Sequence, residues 1–251
     1  MTCHSERSIA QQRAAQSKDL RLFLPLALLL FFALAPSILA QPLDLLKRVD
    51  DHYNHLHTLR ARYAERYTGM GLDRTESGTL ELRKPGLMRW AYDAPAGKLF
   101  VLDGKFAWFY TPGDAQVTRA PAKQLDDLRT PLRLLLGHTQ LAKELDHPTI
   151  GFSCDGRRTL DATSHTGPEV EPNGCIYFIT GTPKGMSDRV KSLSLTVTAD
   201  GAITAMKIEE TTGAVTAFTF TDQKEDLALP PSDFTFTPPA GIPVVNAQPP
   251  I

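Results

Sequence analysis

The chain has 251 residues, of which 42% are hydrophobic and 22% charged, with a formal net charge of −1. That is length enough for one substantial domain. The charge balance excludes a basic field for nucleic acid and a polybasic patch for anionic lipid headgroups.

The first 40 residues read as a leader and not as fold. Arg7, Arg13, Lys18 and Arg21 precede an apolar run from Leu22 to Ala35, and Pro36-Ser-Ile-Leu-Ala40 follows. A basic segment, an apolar core and a small residue at the cut form a secretory signal peptide, with cleavage expected after Ala40. The rival is an uncleaved anchor. The run is short of the ~20 residues a spanning helix needs, and Pro25 and Pro36 interrupt it. Residues 41–251 then form a single domain with net charge −3 and no cysteine at the cut for lipid attachment. Cys154 and Cys175 remain, and an oxidising compartment makes a disulfide between them the default expectation. Clipping the turn-rich loop between them would stabilise the fold by about 3 kcal/mol on the chain-entropy model. A zinc site built with His165 lacks the paired ligand spacing.

Leu45, Val49, Tyr53 and Leu56 recur at helical spacing and predict an amphipathic helix over Leu43–His57. His52, His55 and His57 are expected to be solvated helix-surface residues. The period then changes to two: Leu59, Ala61 and Tyr63 alternate with Arg60, Arg62 and Ala64, a half-buried strand. From Arg74 to Arg119 strands alternate with turns at Lys84-Pro85-Gly86, Ala94-Pro95-Ala-Gly97, Asp103-Gly104 and Pro112-Gly113-Asp114, an antiparallel meander. In Leu99–Leu102 and Phe106–Tyr110 both parities are apolar, so the pattern does not say which face points inward. Thr130-Pro131 and Gly137 bracket a short leucine-rich helix, and a second is predicted over Thr139–Leu145. Strands follow over Thr149–Cys154, Cys175–Gly181, Val190–Thr198, Ile203–Glu210, Ala214–Gln223 and Phe234–Phe236, and Pro238–Pro243 ends regular structure. The pattern is α+β, with about eleven antiparallel strands and helices enough to cover one sheet face.

The chain carries no Gly-x-Ser-x-Gly, Cys-x-x-Cys, His-Glu-x-x-His or glycine-rich phosphate loop. Asp126/Asp127 and Glu209/Glu210 are adjacent pairs whose side chains diverge. No enzyme, cofactor or metal is expected. The strands from Gly78 to Pro112 hold both tryptophans and build a greasy surface, which points to a protein that holds something apolar. The bland alternative is the core of a closed sandwich.

The segments Gly78-Thr-Leu-Glu-Leu-Arg-Lys-Pro-Gly-Leu-Met-Arg-Trp90, Asp103-Gly-Lys-Phe-Ala-Trp-Phe-Tyr-Thr-Pro112 and Phe234-Thr-Phe-Thr-Pro-Pro-Ala-Gly-Ile242 resemble those of the periplasmic outer-membrane lipoprotein carrier family, LolA-like, over essentially residues 41–251. The resemblance implies a half-open antiparallel β-barrel whose concave apolar face is closed by a helical lid. It implies a periplasmic monomer that binds acyl chains of lipoproteins. It would receive them from an inner-membrane ATP-driven release complex and carry them to an outer-membrane acceptor, where one exists. The acyl-chain cavity would be lined by Leu80, Leu82, Met88, Trp90, Val101, Trp108, Leu135, Leu195 and Phe218. Where the family has an arginine that ties lid to barrel, this chain has Lys84, beside Arg83, so Lys84 is the expected latch. A lysine offers a point charge without a planar fork. Two other readings are a lipid-sensing or regulatory module of the same barrel type, and an exported enzyme of unrecognised class.

Overall fold

The computed structural model describes residues 41–127, 135, 140–154, 157–159 and 175–246, with the backbone alone at 41–44, 125–127, 154 and 157–159. The expected leader lies outside the described residues. So do the leucine-rich helix, except for Leu135, and the loop between the two cysteines.

Helix α1 spans Gln41–His55. Leu45, Leu46, Val49 and Tyr53 form its buried stripe, and His52 and His55 lie in its last turn, where the helix dipole favours a cation. Strand β1 (Thr58–Gly69) and β2 (Leu72–Arg83) then form a hairpin of twelve residues a side. The meander continues through β3 (Leu87–Ala94), β4 (Leu99–Asp103), β5 (Phe106–Tyr110) and β6 (Val117–Pro121). Two short helices follow, α2 (Ala122–Asp127) and α3 (Leu141–Glu144). The second wing comprises β7 (Leu145–Cys154), β8 (Arg157–Thr159), β9 (Ile176–Pro183), β10 (Val190–Val197), β11 (Ile203–Glu210) and β12 (Val215–Glu225), and the tail adds β13 (Val244–Asn246).

All thirteen strands join one sheet in the order β13-β6-β5-β4-β3-β2-β1-β12-β11-β10-β9-β7-β8. β1 pairs with β12 at the centre, so the two wings meet where the first and the last long strand lie side by side. The edge strands β13 and β8 are not paired to each other, and the barrel stays open. Every pairing is antiparallel except β13 with β6.

The open, mostly antiparallel sheet is as expected; the described residues hold thirteen strands, two of which, β8 and β13, are three residues long with too little alternation to read. Three expectations need correction. Residues Phe234–Phe236 are not a strand: Pro230 and Pro231 deny the ladder two donors, and Pro231–Phe234 forms a 3₁₀ turn. Regular structure resumes after Pro243, as β13. Strand β7 begins at Leu145, earlier than Thr149, because the register shift between Asp146 and Thr149 absorbs Pro148 and the positive φ of His147.

Apolar side chains separate onto the two sheet faces. The inner face carries the main core, from Leu59, Leu80, Leu82, Met88, Trp90, Leu195 and Ile203 to the buried stripe of α1. The outer face of β4–β6 carries a smaller cluster of Val101, Trp108 and Val117, packed with Phe236 and Ile242 of the tail. Elsewhere the outer face is charged: Arg60 pairs with Glu81 at 2.7 Å, and Arg62 with Asp93 at 2.5 Å.

Candidate functional site: a roofed apolar face

The register decides which residues line the inner face. Leu59, Ala61 and Tyr63 of β1 stand opposite Leu82, Leu80 and Gly78 of β2. Leu80 and Leu82 in turn oppose Trp90 and Met88 of β3, and these oppose Phe100 and Leu102 of β4. Gly78 has to be glycine, because a Cβ there would lie 2.0 Å from the Ala91 carbonyl oxygen. Its lack of a side chain leaves the Tyr63 ring room to reach Trp90 at 4.5 Å and Tyr92 at 5.5 Å. Phe218 and Phe220 of β12 close the same aromatic group, 5.7 and 6.4 Å from Trp90 and stacked on each other. The Trp90 indole N–H donates to Met88 Sδ at 3.0 Å, which satisfies the one polar atom of the ring inside the apolar face.

Of the nine residues expected to line a cavity, seven come together here. Leu80, Leu82, Met88, Trp90, Leu135 and Leu195 are buried in one cluster, and Phe218 packs against it half-buried. Val101 and Trp108 do not join them. Phe100, Leu102, Ala107 and Phe109 take the inward parity, and Val101 and Trp108 face the other side of the sheet, beneath the tail. The Trp108 indole instead donates to Asp103 Oδ2 at 2.7 Å. Burial pushes the Asp103 carboxyl up, but hydrogen bonds from the Phe106 N–H, this indole and the Lys105 N–H outweigh it and hold the group below its ordinary range. The expected lining lacked Tyr63, Tyr92, Phe100, Phe109 and Phe220; strand parity points to Tyr63 and Tyr92 once β1 is placed opposite β2, whereas Phe100 and Phe109 depend on the register of β4 and β5.

α1 lies over this face and is tied down by side chains. The Tyr53 hydroxyl accepts from the Ile203 N–H at 3.0 Å, and Arg48 Nη1 donates to the Ala199 carbonyl at 2.7 Å. His52 is half-buried against the Tyr53 ring, with Nε2 3.0 Å from Glu225 Oε1; it is not the solvated residue expected, because the helix turns that side onto β12. Asp50 accepts the Leu141 N–H with both carboxylate oxygens, at 3.1 and 3.0 Å. It thereby caps α3 from 91 positions away, where Gln140 at the cap position contributes no side-chain bond.

The Lys84 N–H donates to the His57 carbonyl; among the described residues its Nζ has no hydrogen-bond partner, and burial draws the ammonium below its ordinary pKa, while the leucine-rich lid helix it is expected to tie lies, apart from Leu135, outside the described residues. A single flexible ammonium has no fork to span neighbouring carbonyls. The arginines nearby bind the tail instead: Arg83 Nη1 donates to the Leu229 carbonyl, and Arg89 Nη1 to the Asp233 carbonyl at 3.0 Å.

Towards the β1–β2 turn the inner face becomes polar. Glu65 and Glu76 stand directly opposite each other. Lys98 Nζ lies 2.6 Å from Glu76 Oε2 and 4.4 Å from the Tyr92 ring centre, and Arg74 Nε is 3.3 Å from Glu76 Oε1. Burial, then the facing Glu76, push the Glu65 carboxyl up. Among the described residues no group of His, Cys, Asp and Glu is placed to hold a metal ion, and no helix is long and apolar enough to cross a membrane.

A wide apolar sheet face lies under a tethered helix, and among the described residues no convergent set of reactive groups accompanies it. Comparison with known proteins makes the class specific. The family model "Outer membrane lipoprotein carrier protein LolA" matches residues 55–150. The outer-membrane lipoprotein carrier protein of Nitrosospira multiformis is 30% identical over 193 residues, covering 75% of this chain and 82% of that protein. Its counterpart in Chromobacterium violaceum is 28% identical over 192 residues, covering 76% and 82%. Among solved structures, an uncharacterized conserved protein from Thermus thermophilus is similar with a TM-score of 0.49 and 14% identity, over 81% of this chain and 98% of that one. The chain belongs to the outer-membrane lipoprotein carrier (LolA) family, a family named for carriage and not for catalysis.

Proposed function

We propose that this protein is a periplasmic carrier that takes the acyl chains of lipoproteins between the inner sheet face and its helical cover, and moves them from the inner to the outer membrane. The observation that carries the reading is the aromatic and aliphatic inner face, roofed by a helix held through side-chain bonds. Each methylene removed from water is worth ~0.8 kcal/mol, so an acyl chain competes well for such a surface. Leu80, Leu82, Met88, Trp90, Leu135, Leu195 and Phe218 form the acyl-chain wall, with Tyr63, Phe100 and Phe220 added. All are buried or half-buried when the cover is down, so loading displaces the cover and cargo replaces contacts that the side chains make with one another. The donor is an inner-membrane ATP-driven release complex, and the receiver is an acceptor at the outer membrane.

Export through the leader at residues 1–40 and a Cys154–Cys175 disulfide belong to the same reading. The ladder between β7 and β9 places Ser153 opposite Ile176. That register ends one residue short of each cysteine, and antiparallel partners lie ~4.5–5.5 Å apart at Cα, inside the ~4.4–6.8 Å a disulfide requires, which supports the pairing.

The test is capture of the protein from periplasm followed by mass spectrometry for acylated proteins, with intact mass before and after reduction. Acylated cargo on the parent chain and its loss in Trp90→Glu are expected. A Trp90→Glu chain that stays folded and keeps its cargo overturns the assignment of the wall, and a parent chain that never carries acylated protein overturns the function.

A further inference from the structure

The β1–β2 hairpin ends in a two-residue turn whose sequence is at odds with its backbone. Gly69 pairs with Leu72, and between them Met70 and Gly71 both hold positive φ, 51° and 79°. Positive φ at both central positions is the type I′ turn, which favours Asn, Asp or Gly first, because larger side chains meet steric conflict there. Methionine occupies that place, and no packing explains it. Met70 is 88% exposed and Leu72 is 64% exposed, the two most exposed large apolar residues among those described.

The end of the hairpin stands clear of the sheet on one side, because β3 pairs with β2 only from Ser77 onward. On the other side it is braced: a Cβ on Gly69 would sit 2.6 Å from that of Ala214, at the start of β12. Behind the apolar tip comes the Tyr67 ring, with the Arg74 guanidinium 5.8 Å from its centre. The flanking charges are paired, Arg66 with Asp73 through two hydrogen bonds and Arg74 with Glu76.

We propose that the Met70–Leu72 tip is a membrane-docking element that enters the interfacial layer of a lipid bilayer. Apolar side chains foremost, an aromatic ring next and guanidinium groups behind match the order of polarity met on entering a bilayer. The paired charges leave no net positive field, so the contact is apolar and does not depend on anionic lipid or on salt. Its use rests on the carrier reading, since a carrier meets a membrane at loading and at delivery, but the binding itself does not.

The experiment is flotation of the protein, without its first 40 residues, with vesicles of phosphatidylethanolamine and a minor share of phosphatidylglycerol, and with vesicles of phosphatidylcholine alone. The parent is compared with Met70→Asn/Leu72→Thr at low and at high salt. The parent partitions equally onto both vesicles at either salt. The double variant partitions roughly tenfold less, the loss expected when two apolar side chains are only partly withdrawn from water in the interfacial layer, and it melts no lower than the parent, because Asn suits the turn. Absent parent binding, binding lost at high salt, or unchanged binding by the variant each overturns the proposal. So does a variant that binds vesicles normally and loses only cargo transfer from the purified release complex, which would make the tip a protein contact. Uptake of a detergent-released lipoprotein in solution is measured alongside: its absence in the parent overturns the carrier reading and leaves the vesicle result standing.

Discussion

The same sheet is covered on both faces, but by different means. On the inner face the cover is a helix, joined to the sheet by side-chain bonds from Arg48 and Tyr53 and to α3 by Asp50. On the outer face the cover is the C-terminal tail. It is held by backbone pairing of β13 to β6, by Arg83 and Arg89, and by Arg119, whose Nε donates to Asn246 Oδ1 at 2.9 Å. Side-chain tethers break one at a time, whereas a strand adds backbone bonds that open together with the ladder. Under the proposed carriage the cluster to be uncovered is the larger one, because, despite its size, it has the more separable roof.

Substitutions test this contrast, the strongest first. Trp90→Ala should lower unfolding free energy by about 3–5 kcal/mol in denaturant titration, since it opens a cavity among buried rings. Trp108→Ala at the thinner outer cluster should lower it by only about 2 kcal/mol, because its neighbours can relax towards solvent. Equal losses would mean that the two faces are alike. Arg89→Ala should remove a charged hydrogen bond worth roughly 1.5–3 kcal/mol and speed proteolysis within residues 235–246, with the inner face unchanged by tryptophan fluorescence. Asp50→Ala should lower stability by about 1 kcal/mol as a lost cap. Its sharper readout is faster hydrogen exchange at the Leu141 amide together with faster entry of a fluorescent fatty acid; slower or unchanged entry would show that Asp50 does not restrain the cover.

The smallest effects are in pH. The Glu65 carboxyl, pushed up by burial and then by Glu76, contributes stability that is present below its unfolded pKa and lost as pH rises through its folded one. Glu65→Gln should therefore be slightly more stable than the parent at neutral pH and indistinguishable from it in acid. The Lys84 ammonium, drawn down by burial, has the opposite sense: stability present above its unfolded pKa is lost as pH falls through the folded one. Lys84→Met should melt slightly higher at neutral pH, and an unchanged or lower melting temperature there would mean that Nζ has a partner in solution.

Much of the fold was legible because turns announce themselves. Asp103-Gly104 is an example: Asp103 Oδ1 accepts from both the Lys105 and Phe106 N–H groups, and Gly104 holds φ at 89°. The α1 stripe and the alternation in β1 were legible for the same local reason. What failed was non-local. Val101 and Trp108 sit in strands apolar on both parities, and only the register to β3 and β6 decides their face. Lys84 was placed by likeness to a family position, and the lid helix it would tie lies, apart from Leu135, outside the described residues. The cap on α3 comes from Asp50, a pairing invisible to any local window.

The two edges of the open barrel carry a final consequence. A half-barrel ends in strands with unpaired donors and acceptors, which are templates for a second chain. Among the described residues each wing finishes in a strand of three residues, β13 beside β6 and β8 beside β7. A three-residue stub offers little ladder for another molecule to extend. Rims this short suit a sheet that stays open, whereas a closed barrel removes its edges only by giving up the opening.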